Sequence, residues 1–350
     1  MLVKDICAIK TNNYNKRDNW SYFNYLDTSN LIKNTIISIE QIESEDKLPS
    51  RAKQKVSIND ILYSSVRPNQ EHYGFIDKKY DNLLVSTGFI ILKPIVDKVV
   101  PKFLYYYLTQ EQIVNRLQNI AQNNTSSYPS ITKEDILNLK IHLPSLKKQK
   151  EIVIILNKID DQIALNNYMV KRLQVLGKVI YCKNLDFSNK EKLASKAIIT
   201  TGKEDANHAS MNGKYKFFTC SDDVLSCDDF KFEGKSVLVA GNGNFNVKYY
   251  EGKFNAYQRT YVIKNDSIIG NLYYTLIFNT EVFRKKSNGS IIKFITIEML
   301  NNIDIPQFSK ETNHLLNKIL FKINIVDADT YRLKQLKNKL LPLLINGQLQ

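Results

Sequence analysis

Hydrophobic positions in this chain fall into two kinds of pattern, and each kind occurs twice. From about Lys147 to Tyr181, leucine and isoleucine stand at Leu156, Ile159, Ile163, Leu173 and Ile180, a seven-residue seam with one gap on a long helix. The same seam returns 160 residues later at Leu316, Ile319, Ile323, Leu333 and Leu340, and Arg172-Leu173 matches Arg332-Leu333. Before each helix a short alternating run (Leu139, Ile141, Leu143; Ile303, Ile305) predicts a strand. Each run ends at a proline, Pro144 or Pro306, which has no N–H to give a ladder. The first helix spans roughly 50 Å at 1.5 Å per residue, against an average globular helix of about 11 or 12 residues. One apolar seam on so long a helix needs a partner, and the second copy, running antiparallel, supplies it.

The regions before the helices also correspond. Residues 56–66 and 234–243 each read as a strand that breaks into small polar residues. Residues 84–92 and 256–263 read as buried strands, and the aromatic patches at 103–108 and 272–277 as helices. A polar loop, 122–131 or 285–291, precedes the final strand of each copy. The predicted fold class is therefore α/β (α+β): two globular units in pseudo-two-fold repeat, separated by a pair of long antiparallel coiled-coil helices. The expected boundaries are 1–144 for the first unit, 145–185 for the first helix, 186–306 for the second unit and 307–350 for the second helix.

Composition narrows this picture in a few respects. With 350 residues, 43% hydrophobic and 24% charged, the chain is globular and long enough for two cores. No run of 18 apolar residues occurs, and the N-terminal segment turns polar too early for a signal peptide. Four scattered cysteines are no disulfide framework, so the expectation is a cytoplasmic protein with reduced thiols. The net charge of +14 invites a polyanion. It is concentrated on the helical segments: residues 143–185 carry 8 basic and 3 acidic residues, and 301–350 carry 7 and 4.

Catalytic signatures are absent from the sequence. There is no GxxxxGK[ST] loop and no GxGxxG fingerprint; Gly241-Asn-Gly243 reads as a turn after a strand. Asp229, Glu233 and Lys235 only loosely mimic a nuclease cluster. Cys220 and Cys227 have only His208 nearby, and no CxxC occurs, so no metal site is expected. His72, His142, His208 and His314 lie in separate elements, with no nucleophile to pair with. The chain reads as a binder rather than a catalyst.

Sequence-specific DNA recognition uses Arg or Lys for guanine edges, Asn or Gln for adenine edges, and phosphate contacts for register. The divergent loops hold these residue types. In the first unit they are Arg51, Lys53, Ser64, Ser65, Arg67, Asn69, Gln70 and Tyr73, then Asn123, Asn124, Ser126, Ser127 and Tyr128. In the second they are Lys214, Tyr215, Lys216, Asn242, Asn244, Asn246, Lys248, Gln258 and Arg259, then Lys285, Lys286 and Asn288. The chain is rich in Asn and Lys throughout, so the loops stand out as sets, by their divergence between copies, more than residue by residue.

With the repeat and its junctions in view, the chain resembles the specificity (S) subunits of type I restriction–modification systems. The resemblance covers essentially the whole length. It is carried by the strand–Pro–helix junctions, Leu-Lys-Ile-His-Leu-Pro144 followed by Leu146-Lys-Lys-Gln149-Lys-Glu-Ile152, and Asn-Ile-Asp-Ile-Pro306. Ser145 stands where the family usually has a second proline, and Lys148-Gln149 where it has Glu-Gln; the second copy lacks that pair. The openings Val3–Thr11 and Thr200–Lys203, the latter followed by Gly213–Thr219, look like the starts of two target-recognition domains. The resemblance implies a non-catalytic subunit whose two domains each read half of a bipartite DNA target, while the helix pair sets the spacing between them. It implies two methyltransferase (modification) subunits carrying S-adenosylmethionine, and two restriction subunits using ATP and Mg, as partners; no cofactor is expected on this chain. A protein-interaction scaffold, or a self-sufficient nuclease or methyltransferase, are the competing readings.

Overall fold

A computed structural model describes residues 1–124, 128–186, 188–211, 213–287 and 294–348, with the backbone alone for Asn124 and residues 285–287. Contacts divide the chain into two compact units: Met1–Asp161 with Lys334–Gln350, and Gln162–Leu333. Each long helix therefore contributes one end to each unit.

The first unit starts with β1 (Cys7–Ile9), β2 (Phe23–Leu26), β3 (Leu31–Ile32), β4 (Thr35–Ile36), β5 (Glu40–Ile42), β6 (Ala52–Lys55), β7 (Ile61–Ser64) and β8 (Tyr73–Phe75). It continues with β9 (Leu83–Ser86), β10 (Phe89–Pro94), α1 (Pro101–Leu108), α2 (Glu111–Asn124), α3 (Lys133–Leu137) and the first part of α4 (Leu146–Lys183). Two four-stranded sheets form, in the orders β1-β10-β7-β8 and β5-β2-β9-β6. β7 is buried on both faces because successive side chains point to opposite sides of a strand. Ile61 and Tyr63 enter the helical core with Phe103, Leu104 and Tyr106, while Leu62 packs with Val85 and Ile91 toward the second sheet.

The sequence reading of 84–92 as one strand is corrected here. Thr87 and Gly88 break the run into β9 and β10, which belong to different sheets. Nor does 139–143 form a regular strand. Lys140 makes a single bridge to Leu2, because the 3-10 turn at Val3–Asp5 ends the partner segment at once.

In the second unit come β11 (Lys190–Lys192), α5 (Leu193–Lys196), β12 (Ile198–Thr201), β13 (Tyr215–Phe218), β14 (Val224–Cys227), β15 (Phe232–Ala240) and β16 (Val247–Ala256). β17 (Thr260–Lys264), α6 (Ile269–Ser287), α7 (Ile297–Asn301), β18 (Asp304–Pro306) and α8 (Lys310–Ile345) complete it, α8 returning its last turns to the first unit. Its main sheet has six strands in the order β12-β17-β15-β16-β13-β14. Val237 and Val239 face a core with Leu272, Tyr274, Leu316 and Leu320, while Leu238 faces Phe218, Phe254 and Val262.

The two long helices are α4, with 38 residues, and α8, with 36. In the first unit Asp160 of α4 meets Lys337 of α8 at 2.5 Å. In the second, Asn166 Nδ2 donates to Asp329 Oδ2 at 2.8 Å, and Thr312 Oγ1 donates to Asn184 Oδ1 at 3.4 Å. As one residue number rises the other falls, so the helices run antiparallel. Leu156, Ile159, Leu316, Ile319 and Ile323 are buried; Ile163, Leu173, Ile180, Leu333 and Leu340 are half-buried. The helix starts, Leu146 and Lys310, lie 164 residues apart although the seam repeats at 160. The second helix thus starts one turn later along its seam.

Gln149, half of the pair standing for the family's Glu-Gln, is fully buried. Its side chain accepts from Val100 N and donates to Pro144 O, both at 2.8 Å, tying the junction to the start of α1. In the second unit two asparagines divide that work. Asn313 Nδ2 donates to Phe308 O at 3.1 Å, and Asn317 Oδ1 accepts from Gly270 N, near the start of α6, at 2.8 Å. Among the described residues, no helix is long and apolar enough to cross a membrane.

Candidate nucleic-acid interface

In the first unit three loops meet at the ends of β7, β9 and the segment before α3. Ser65 N donates to Gly88 O at 2.9 Å, Ile131 N to Ser65 O at 2.8 Å, and Arg67 N to Pro129 O at 3.0 Å, with a bridge between Val66 and Ser130. Thr87 N donates to Arg51 O at 2.9 Å, which brings in the start of β6. Gln54 braces the crossover from β9 to β10 by donating to Ser86 O and Phe89 O, each at 2.9 Å. On this base Arg51, Lys53, Arg67, Asn69 and Gln70 are exposed. Tyr128 is also exposed, its ring centroid 6.0 Å from the Arg67 guanidinium carbon. Cations beside exposed amides form a surface able to meet phosphates and base edges.

The second unit repeats the centre of this wiring, two hydrogen bonds and the bridge. Gly241 N donates to Arg259 O at 2.8 Å, Ile295 N donates to Gly241 O at 2.7 Å, and Asn242 bridges to Phe294. Here the exposed residues are Asn244, Gln258, Arg259 and Phe294. The loop is braced from beneath: Arg284 donates through Nε and Nη2 to Asn244 O at 2.9 and 2.7 Å, and Asn246 Nδ2 donates to Cys220 O and Asp222 Oδ1. Asn242 is half-buried, and Gln258 Nε2 donates to Asp205 Oδ1 at 2.8 Å.

Other sequence candidates land elsewhere. Ser64 and Tyr73 are buried, so both leave the candidate surface; Ser64 Oγ donates to Val66 O. Ser65 is half-buried, its hydroxyl donating to Gly88 O. Asn123 and Asn124 close the last turn of α2, and Lys285 and Lys286 lie on α6, so the asparagines and lysines read as loop are helical. Ser126, Ser127 and Asn288 lie outside the described residues. Lys214 is exposed just before β13, while Tyr215 packs on Phe230 with ring centroids 5.0 Å apart. Lys216 sits over the Tyr250 ring at 4.8 Å. Lys248 donates to Ser221 O, and burial pulls its ammonium below the usual lysine range. The sequence reading missed Phe294 and the braces Gln54, Arg284 and Gln118, whose Oε1 accepts from Asn69 N at 3.1 Å. An aromatic near the end of the polar loop in both copies, Tyr128 and Phe294, was the available signal for the first.

The hairpin β13–β14 gathers groups that looked unrelated in sequence. One donor atom each of His208, Cys227 and Asp229 lies within 4.8 Å of the others. They satisfy one another: His208 Nε2 is 2.7 Å from Asp229 Oδ1, with Glu204 Oε2 3.4 Å from its other ring nitrogen. The Cys227 thiol donates to Asp229 O at 3.2 Å, and burial pushes it up toward the neutral form. The hydrogen bond to His208 holds the Asp229 carboxyl low. Asp229 Oδ1 also accepts from Asn255 Nδ2 at 3.1 Å.

The family described as "Type I restriction modification DNA specificity domain" matches this chain twice, over residues 1–178 and 191–340. Over 157 residues the chain is 29% identical to the "Type I restriction enzyme HindI specificity subunit" of Haemophilus influenzae, covering 45% of this chain and 34% of that protein. Over 160 residues it is 36% identical to the EcoDI specificity subunit of Escherichia coli, covering 43% and 36%. Each match thus spans about a third of the length of these curated relatives. A crystal structure titled as the type I restriction-modification system S subunit from M. genitalium superposes with a TM-score of 0.63 at 15% identity, covering 99% of this chain and 95% of that one, which shows a shared fold. Since the two family matches leave few residues uncovered, and fall one on each copy of the repeat, the chain belongs to the type I restriction modification DNA specificity domain family.

Proposed function

We propose that this chain is the DNA-specificity subunit of a type I restriction–modification complex, working in the cytoplasm without catalysis of its own. Each loop cluster reads one half of a bipartite target, and the antiparallel helices set the unread spacing between the halves. The observation that carries this reading is the duplicated loop wiring, in which one backbone framework presents different exposed side chains: Arg67, Asn69 and Gln70 in one unit, Asn244 and Arg259 in the other. A repeated frame with divergent tips is what recognition of two different half-sites requires.

The helices serve as the docking surface for two methyltransferase subunits. Leu165, Tyr168, Val175 and Val179 on α4 and Phe321, Ile325 and Tyr331 on α8 are each more than 40% exposed, apolar surface suited to partner helices. S-adenosylmethionine belongs to those subunits. ATP and Mg belong to two restriction subunits where the complex includes them.

Binding to duplex DNA is expected to fall steeply with salt, by roughly a thousandfold between 50 and 200 mM for about six phosphates neutralised. Fluorescence anisotropy with a labelled duplex of random sequence reads this slope. A flat dependence, with binding unaffected by salt, favours a protein-interaction scaffold instead.

A further inference from the structure

We propose that Arg67 is the guanine-reading residue of the first unit, an assignment that rests on the DNA-recognition reading above. The two loop frames are equivalent. Ser65 and Gly241 each accept from the isoleucine that follows the second loop (Ile131, Ile295) and donate to the turn after the preceding strand (Gly88, Arg259). The next residues, Val66 and Asn242, make the same bridge. One step further, Arg67 and Gly243 are therefore structural counterparts.

Both adopt the left-handed conformation, Arg67 with φ 46° and Gly243 with φ 68°. Glycine occupies this region freely, whereas a residue with a Cβ is strained there. The second unit uses the unstrained solution at this corner, and the first does not. A strained residue persists where its side chain is needed, either by the fold or by function.

The fold gives little sign of needing it. The Arg67 side chain is exposed, and among the described residues no carboxylate or carbonyl pairs with its guanidinium; its described partner is the Tyr128 ring. A cation–π approach at 6.0 Å uses no carboxylate or carbonyl acceptor, which leaves the N–H donors available. The backbone beneath is pinned: Gln70 N donates to Arg67 O at 2.8 Å, Asn69 N to Gln118 Oε1 at 3.1 Å, and Glu71, also left-handed, pairs with Lys33 at 2.6 Å. The result is a fork of donors on a pinned corner, in the same loop cluster as the exposed Arg51, Lys53, Asn69 and Gln70. Among base edges, that fork matches O6 and N7 of guanine in the major groove.

The test uses the full chain assembled with its methylating partner, with the target first determined by methylation sequencing. Arg67→Gly is expected to melt at the same temperature as the parent or higher, because the strain is removed. Its affinity for the cognate duplex should fall about ten- to a hundredfold. Replacing one guanine of one half-site should weaken the parent strongly and the variant hardly at all, with the salt slope unchanged. Arg67→Lys should recover only part of the affinity, since an ammonium lacks the fork. A lower melting temperature for Arg67→Gly makes the side chain structural. Equal weakening at every base with a salt slope reduced by about one makes it a phosphate contact. Either result, or unchanged binding, overturns the assignment. A parent complex with no half-site preference overturns the recognition reading itself.

Discussion

Replacing Leu341, Leu344 and Ile345 together by alanine is expected to unfold the first unit while the second stays folded. These residues sit at the end of α8, yet they are 8%, 8% and 1% exposed within the core that holds Phe103, Tyr106 and Leu156. Each buried Leu or Ile to Ala change removes about 2 kcal/mol or more. Three together reach roughly 6 kcal/mol, comparable with the entire stability of many domains. Alanine keeps the helix, so the loss is one of packing. Hydrogen exchange read by mass spectrometry should show protection lost across residues 1–161 and retained across 162–333. Equal loss in both units, or none, contradicts the placement of the last turns of α8.

Gly177→Ala is expected to destabilise the second unit by about 3 kcal/mol, against the direction that helix propensity demands. In the interior of a helix, alanine is favoured over glycine by about 1 kcal/mol. A Cβ at Gly177, however, would lie 1.8 Å from Tyr274 Oη and 2.2 Å from its Cζ. Tyr274 is fully buried, flanked by Tyr181 and Tyr273 at ring distances of 6.2 and 5.1 Å, so its ring cannot swing aside. Overpacking a filled core typically costs 1–3 kcal/mol, and about 3 or more at so short a separation. Tyr274→Phe should rescue little, because Cζ remains, whereas Tyr274→Leu should rescue most of the loss. A single Gly177→Ala variant that melts higher than the parent would falsify this contact. Gly270, where a Cβ would meet Leu316 C at 2.5 Å, gives a second close approach of helix to helix in the same unit.

These two sites show what the sequence made legible. The repeat, the long helices and their antiparallel sense follow from apolar spacing, because burying a seam leaves few alternatives. The means by which each copy secures its aromatic helix do not follow. At the position of Gly177, 160 residues on, stands Lys337, which pairs with Asp160 while its ammonium lies 5.3 Å above the Tyr106 ring. One copy is held by a glycine gap and the other by an ion pair over a ring, and seam periodicity cannot tell them apart. The break at Thr87-Gly88 was hidden for a related reason: β9 is buried throughout and most of β10 is, so the apolar run continues across the corner.

The loops were harder still. Asn and Lys occur everywhere in this chain, so Asn123 and Lys285 read as loop although both are helical. Ser64 and Tyr73 read as candidates because polar types near a strand end do not reveal which way they point. The corner at Arg67 is visible only in the hydrogen bonds that the two copies share, since a left-handed backbone leaves no mark on an arginine in the sequence. Gln149 belongs to the same class. The junction motif singled it out, and its buried bonds to Val100 and Pro144 give it a structural task.

The central claim is that each loop cluster independently reads one half of a divided target. Methylation sequencing of cells carrying this chain with a methylating subunit tests it most directly, comparing the parent with a variant whose Asn242–Asn246 loop is replaced by another sequence. The expected result is a bipartite motif with an unread gap, and a variant in which one half changes while the other half and the gap length persist. A contiguous motif, or a variant in which both halves change together, would contradict it.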